Sequence, residues 1–264
     1  MPSPTDKLIA RKEGSIGWII FNNPERLNAV SLEMWEAVPA ALEGFEADPE
    51  IRTIVLTGAG DRAFVAGADI SQFAETRSSP DRIQHYEDVS TFAFNRIAAA
   101  KRPTIAMIDG YCIGGGLGIA LSCDMRIASE GSTFGIPAAK LGLAYGHEGT
   151  KRLVDIVGPS YAKEIFFTAR RFTHDEAMGM GLINRVTSKE ALAEYVQSYC
   201  SMISENAPLT VMTAKTVVDE ACITPDNFDE DKCNALINAC FASEDYAEGR
   251  TAFMEKRKPV FKGK

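Results

Sequence analysis

Two segments of this 264-residue chain place small residues where main-chain chemistry would need them. The first is Ala63-Phe64-Val65-Ala66-Gly67-Ala68-Asp69-Ile70, which follows a strand-like run and the turn Gly58-Ala59-Gly60. Small side chains there let a ligand approach the backbone closely. The second is Asp109-Gly110-Tyr111-Cys112-Ile113-Gly114-Gly115-Gly116-Leu117, where a strand turns through three glycines into a helix. The first N–H groups of a helix lack internal acceptors and carry the positive end of its dipole. They can hold an oxygen on which negative charge develops, the task of an oxyanion hole. Three glycines also suit plain close packing of helix on strand. A nucleotide loop is the rival reading, but the chain has neither G-x-G-x-x-G after a strand nor G-x-x-x-x-G-K-[ST].

A third segment, Leu143-Ala144-Tyr145-Gly146-His147-Glu148-Gly149, gathers titratable groups. Glu148 is the candidate acid or base, since a carboxyl in an apolar pocket tends to a raised pKa. His147 and Tyr145 are its titratable neighbours, and an ordinary loop turned to solvent is the alternative.

The flanking patterns predict the elements that position these segments. Ile16 to Phe21 reads as a strand ending at the turn Asn22-Asn23-Pro24. Ser31 is a candidate N-cap for a helix to about Ala47, which Pro39 should kink or shorten. Ile51 to Thr57 reads as a buried strand closed by Gly58, and 81–101 as a long helix. Strands are expected at Thr104–Ile108 and Asp124–Ala128, with a helix between them through Ala120. From about Gly149 the patterns are nearly all helical. Starts are expected at the capping box Thr173-His174-Asp175-Glu176, at Ser188, at Ala207-Pro208 and at Ser243. Alternating strands and helices followed by helices alone imply an α/β core with parallel pairing, over about 1–190, and a helical region over 191–264.

Composition is that of an ordinary globular chain, 45% hydrophobic and 24% charged. A net charge of −8 disfavours nucleic-acid partners, though local cations can still hold an anionic ligand. The six cysteines form no C-x-x-C pair and the three histidines stand apart, so no metal site is expected. Reduced thiols are expected in a cytoplasmic compartment. The N-terminal residues carry no signal-like segment, and no run approaches a membrane span.

Taken together, in this order and spacing, the first two segments resemble the oxyanion-hole motifs of the crotonase superfamily, the enoyl-CoA hydratase/isomerase family. The resemblance covers nearly the whole chain. Asn23-Pro24-Glu25-Arg26-Leu27-Asn28-Ala29 is similar to the family's CoA-contacting turn. Gly149 to Leu153, Gly181-Leu182-Ile183 and Phe253 to Lys258 are similar to its downstream landmarks. The resemblance implies an α/β, crotonase-like β-β-α spiral core with a helical C-terminal trimerisation region. It implies that the backbone N–H groups of Ala66 and Gly115 bind a thioester oxygen. CoA, part of the substrate and no separate cofactor, would lie along Ala66, Gly67, Ala68, Asp69 and Ile70. Arg26, Leu27 and Ala29 would contact it from the other side. Phe253 and Lys256 would reach the CoA of a neighbouring subunit in a homotrimer or a hexamer of two trimers, with Arg26 and Lys256 near phosphates. Asp69 is then expected to order its loop, and His85 and Tyr86 to face core or solvent.

One departure is sharp. The family's hydratases use two glutamates, and the matching positions here are Gly118 and Ala138, the latter after Phe134-Gly135-Ile136-Pro137. Neither residue can move a proton, and general acid–base catalysis typically contributes about 10²–10⁴-fold. The resemblance therefore implies an acyl-CoA enzyme acting through an enolate. Hydration, isomerisation, thioester hydrolysis, decarboxylation and C–C chemistry all remain open, as does a CoA-ester-binding protein with little catalysis. Other branches of the superfamily place a working acid near the loop that holds Glu148. An RNA-binding branch exists, but the acidic balance argues against it.

Overall fold

A computed structural model describes residues 5–69, 79–222 and 227–264. In chain order the first half holds β1 (Leu8–Glu13), β2 (Ile16–Phe21), α1 (Leu32–Ala47), β3 (Thr53–Gly58), β4 (Ala63–Val65), α2 (Pro80–Ala98), β5 (Thr104–Ile108), β6 (Tyr111–Ile113) and α3 (Gly115–Ser122). The second half holds β7 (Met125–Ser129), β8 (Thr133–Gly135), α4 (Ala138–Leu141), α5 (His147–Thr168), β9 (Phe172–Thr173), α6 (His174–Gly179), β10 (Arg185–Thr187), α7 (Leu192–Ser204), α8 (Pro208–Ala221), α9 (Glu230–Ala242) and α10 (Glu244–Glu255).

Six strands form one sheet in the order β1-β2-β3-β5-β7-β10. All its pairs are parallel except the β1–β2 hairpin. Its central strands are apolar on both faces because both are covered, as a parallel sheet requires. Ile54 and Leu56 face the main core with Trp35, Val38, Leu42 and Phe45 of α1. Val55, Ile105 and Ile127 face Leu192, Val196 and Cys200 of α7. A helix in the region expected for oligomerisation thus serves as the second cover of the sheet. Packing against the sheet thus continues through α7.

Local signals act as their chemistry predicts. The Ser31 hydroxyl accepts the Met34 N–H and starts α1. At α6 the capping box is complete, with Glu176 N–H to Thr173 Oγ1 at 3.3 Å and Thr173 N–H to Glu176 Oε2 at 2.8 Å. Pro208 opens α8 and Ser243 caps α10. Pro39, in contrast, does not end α1: seven residues of that helix are buried, and their packing outweighs one missing hydrogen bond.

A second sheet, β4-β6-β8-β9, went unread in the sequence. Its strands have two or three residues, too few to display a period. Through it the two glycine-bearing segments become neighbours, because β4 pairs with β6 and each leads directly into one of them. Among the described residues no helix is long and apolar enough to cross a membrane.

Candidate functional site

After β4 the chain runs beside the turn that follows β2. Asn28 is buried at the centre of this contact. Its amide nitrogen donates to the carbonyls of Ala59 and Ala63 at 2.8 and 2.7 Å, and its Oδ1 accepts the Asn23 N–H. Leu27 and Asn28 both take positive φ, 53° and 56°, to make the turn. Three backbone bonds then join the two stretches: Ala66 N–H to Leu27 O (3.0 Å), Val30 N–H to Gly67 O (2.8 Å) and Asp69 N–H to Val30 O (2.9 Å).

This pairing corrects one expectation. The Ala66 N–H already has an acceptor in Leu27 and does not face a ligand. Gly67, at φ +112°, turns the chain. The N–H of Ala68, next along, finds no acceptor among the described residues. Which N–H of Ala66-Gly67-Ala68 is left over depends on a turn some 40 residues earlier in the chain, so no local pattern reveals it.

The three glycines of the second segment have three different reasons. Gly114 sits at φ +56°, ψ −118°, outside the range side chains favour, and its N–H donates to Gly135 O. Gly116 is pressed on β4, where a Cβ would come 2.0 Å from Val65 O. Gly115 needs neither excuse. A Cβ there would meet only Trp35 Cζ2 at 3.4 Å, with the Ala68 nitrogen 3.7 Å away. It stands at N1 of α3, its N–H without an acceptor among the described residues. Two unpaired backbone donors, Ala68 and Gly115, therefore lie side by side.

Both line a cavity of about 400 Å³. Trp35, Tyr86, Phe94, Gly118, Ala138, residues 145–149 and Arg152 contribute to its wall. The Trp35 indole N–H donates to Tyr86 Oη at 2.9 Å, and both rings are buried. Tyr86 thus belongs to core and cavity wall together, whereas His85 is exposed. The Tyr145 hydroxyl lies 3.9 Å from where a Cβ on Gly114 would be, and its ring stacks edge-on with Phe166. Glu148 is exposed at the rim, in the first turn of α5. Its Oε2 accepts from Asn95 Nδ2 at 3.0 Å, and Asn95 Oδ1 accepts from Arg152 at 2.5 Å. Burial lowers the Arg152 pKa from its usual value, with the Glu148 charge working against that shift. His147 also lines the cavity, and Glu87 supplies a second carboxylate that sequence reasoning did not single out.

The remaining described residues expected to contact CoA do not line this cavity. Arg26 is exposed on the turn and pairs with Asp69 at 3.0 Å, so Asp69 orders its loop through an ion pair. Leu27 and Ala29 flank the same loop. Ile70 lies outside the described residues. Phe253 and Lys256 end the last helix, outside this cavity, and Phe253 is 82% exposed. Cys112 and Cys123 are buried near the glycines, and burial pushes both thiols up, Cys123 to about 12, so neither is a ready nucleophile.

The parallel sheet with paired loops over one cavity defines a crotonase fold. It superposes on the enoyl-CoA hydratase/carnithine racemase of Magnetospirillum magneticum with a TM-score of 0.92 at 33% identity, covering 98% of this chain and 97% of that one. An enoyl-CoA hydratase/isomerase family protein of Hyphomonas neptunium gives 0.93 at 34%, covering 98% of both. In sequence the chain is 35% identical to the short-chain-enoyl-CoA hydratase of Clostridium acetobutylicum, over 96% of each. It is 34% identical to the crotonyl-CoA hydratase of Syntrophomonas wolfei, over 97% and 98%. The enoyl-CoA hydratase/isomerase profile matches residues 11–264, and the chain belongs to that family.

Proposed function

We propose that this enzyme binds an acyl-CoA thioester with its carbonyl oxygen between the backbone N–H groups of Ala68 and Gly115. The observation that carries this is the pair of unsatisfied donors side by side at a cavity. As the thioester becomes an enolate, its oxygen gains charge, and both hydrogen bonds strengthen in the transition state. CoA lies along Ala66–Asp69 on one side and Arg26, Leu27 and Ala29 on the other. It arrives as part of the substrate, and the reaction needs no resident cofactor.

Proton transfer falls to the loop before and at the start of α5. Tyr145 brings its hydroxyl nearest the glycines, and Glu148 is the carboxylate at the rim. With Gly118 and Ala138 in place of the hydratase glutamates, the favoured reactions are those in which the enolate is reprotonated, as in double-bond isomerisation. A CoA-ester-binding role with weak catalysis is the second reading, and the same two positions favour it. The enzyme works as a homotrimer or a hexamer of two trimers, in which Phe253 and Lys256 reach a neighbour's CoA. In support, Phe241, Phe253 and Met254 are exposed along an apolar groove of about 980 Å³ between α8, α9 and α10.

The test is purified enzyme with crotonyl-CoA, following loss of enone absorbance, beside a CoA titration. Tight CoA binding with slow hydration is expected. Rapid hydration would require another water-activating group, and no CoA binding would overturn the reading. In the isomerase assay, Glu148→Gln with unchanged turnover from pH 5 to 9 would leave Tyr145 as the proton carrier.

A further inference from the structure

The place of a hydratase carboxylate at position 118 is not merely vacant, because an aromatic ring fills it. A Cβ on Gly118 would come 2.9 Å from both Cε1 and Cζ of Phe94, closer than real Cβ contacts. Phe94 is held there from behind. Its ring meets Trp35 edge-on, with centroids 4.9 Å apart and planes at 65°. Trp35 is in turn fixed by burial and by its bond to Tyr86. The far edge of the same indole reaches the Gly115 position, at 3.4 Å. Residues 115 and 118 lie on one face of α3, about one turn or 4.5 Å apart. Trp35 and Phe94 therefore form one continuous wall, from the Gly115 position to the Gly118 position one turn along α3.

We propose that Phe94 is the specificity-determining residue of this site: it admits acyl groups that are straight at the carbons next to the thioester and rejects those branched there. The inference rests on the acyl-CoA reading above. A flat or linear chain lies against the ring edge as one apolar surface on another. A methyl branch one helical turn from Gly115 meets a ring that is backed by Trp35. In a close-packed pocket one misplaced methyl group is commonly worth roughly tenfold or more in discrimination.

Two unreactive isomers, pentanoyl-CoA and isovaleryl-CoA, have the same atoms; the fifth acyl carbon ends a straight chain in one and is a branch on the third carbon in the other. Calorimetric titration of the intact enzyme with each, and with free CoA, reads the preference directly. The expected result is pentanoyl-CoA bound at least about tenfold more tightly by the wild type. The preference should shrink in Phe94→Leu and vanish in Phe94→Ala, with the affinity for free CoA unchanged in both. Phe94→Leu keeps most of the apolar volume, so it reports on the ring even where Phe94→Ala unfolds. An equal wild-type affinity for the two isomers, or a preference that survives in folded variants, overturns the role of Phe94 alone. Thioesters that bind no better than free CoA overturn the acyl-site reading itself.

Discussion

The α/β core and the last three helices are held together by different forces. Helix α1 buries Met34, Trp35, Ala37, Val38, Ala41, Leu42 and Phe45 against the sheet. Helix α9 buries only Cys233, and α8 only Pro208 and Glu220. The C-terminal region relies on polar ties instead. Lys215 joins α8 to Asp124 at 2.8 Å, and Lys232 meets Glu220 at 2.5 Å. Asp245 accepts the N–H groups of Lys262 and Gly263, each at 2.7 Å, and Arg257 grips Glu248. Meanwhile Phe241, Tyr246, Phe253 and Met254 remain exposed. Ion pairs at a surface add little stability each, so helices with so little buried apolar area are held less firmly than α1. The core is organised to hold two loops still, while the helices leave apolar side chains outward, as the proposed assembly would require.

That contrast can be broken in several ways. Gly116→Ala forces a methyl group into the Val65 carbonyl, and main chain meets main chain there. A loss of about 3 kcal/mol or more is expected, read by urea unfolding. Gly115→Pro, one residue earlier, removes an N–H at a position where proline suits a helix start. It should keep the fold and lower kcat by about 10²–10³, measured with the substrate that the wild type turns over. Full activity in this variant would sink the oxyanion assignment.

Smaller effects should appear in the helices. Phe253→Ser should shift stability of the single chain by less than about 0.5 kcal/mol, as for other exposed positions. It should nevertheless weaken the proposed trimer or hexamer, seen by sedimentation as smaller species. Smallest is a pH effect. Arg257, and then the Val260 N–H, hold the Glu248 pKa down at about 2. A carboxylate depressed on folding stabilises above its unfolded pKa of about 4.3 and loses that contribution as pH falls through its folded value. Hydrogen exchange in α10 and the C-terminal tail should therefore rise between about pH 4 and 2, before the β3 and β5 amides open.

Much of this molecule was legible in advance, and the legible parts share a cause. The limits of β2 and β5, the caps at Ser31, Thr173 and Ser243, and the helix start at Pro208 depend on residues within a few positions of one another. Short-range hydrogen bonding and fixed φ values act there whatever the rest of the chain does. The segments around Gly67 and Gly115 were legible as well, since close backbone approach demands small residues. Only the tertiary structure decided which groups in those segments are free. Leu27 takes the Ala66 N–H and leaves that of Ala68, through a contact 39 residues apart in numbering, 66 against 27. Phe94 comes to lie over Gly118 because α2 packs against α3, which no local pattern encodes. The sequence by itself determined the longer elements and the small residues of the site; the packing of distant elements determined the second sheet, the donors and the walls, because a hydrogen bond or a ring contact is satisfied in space and not along the chain.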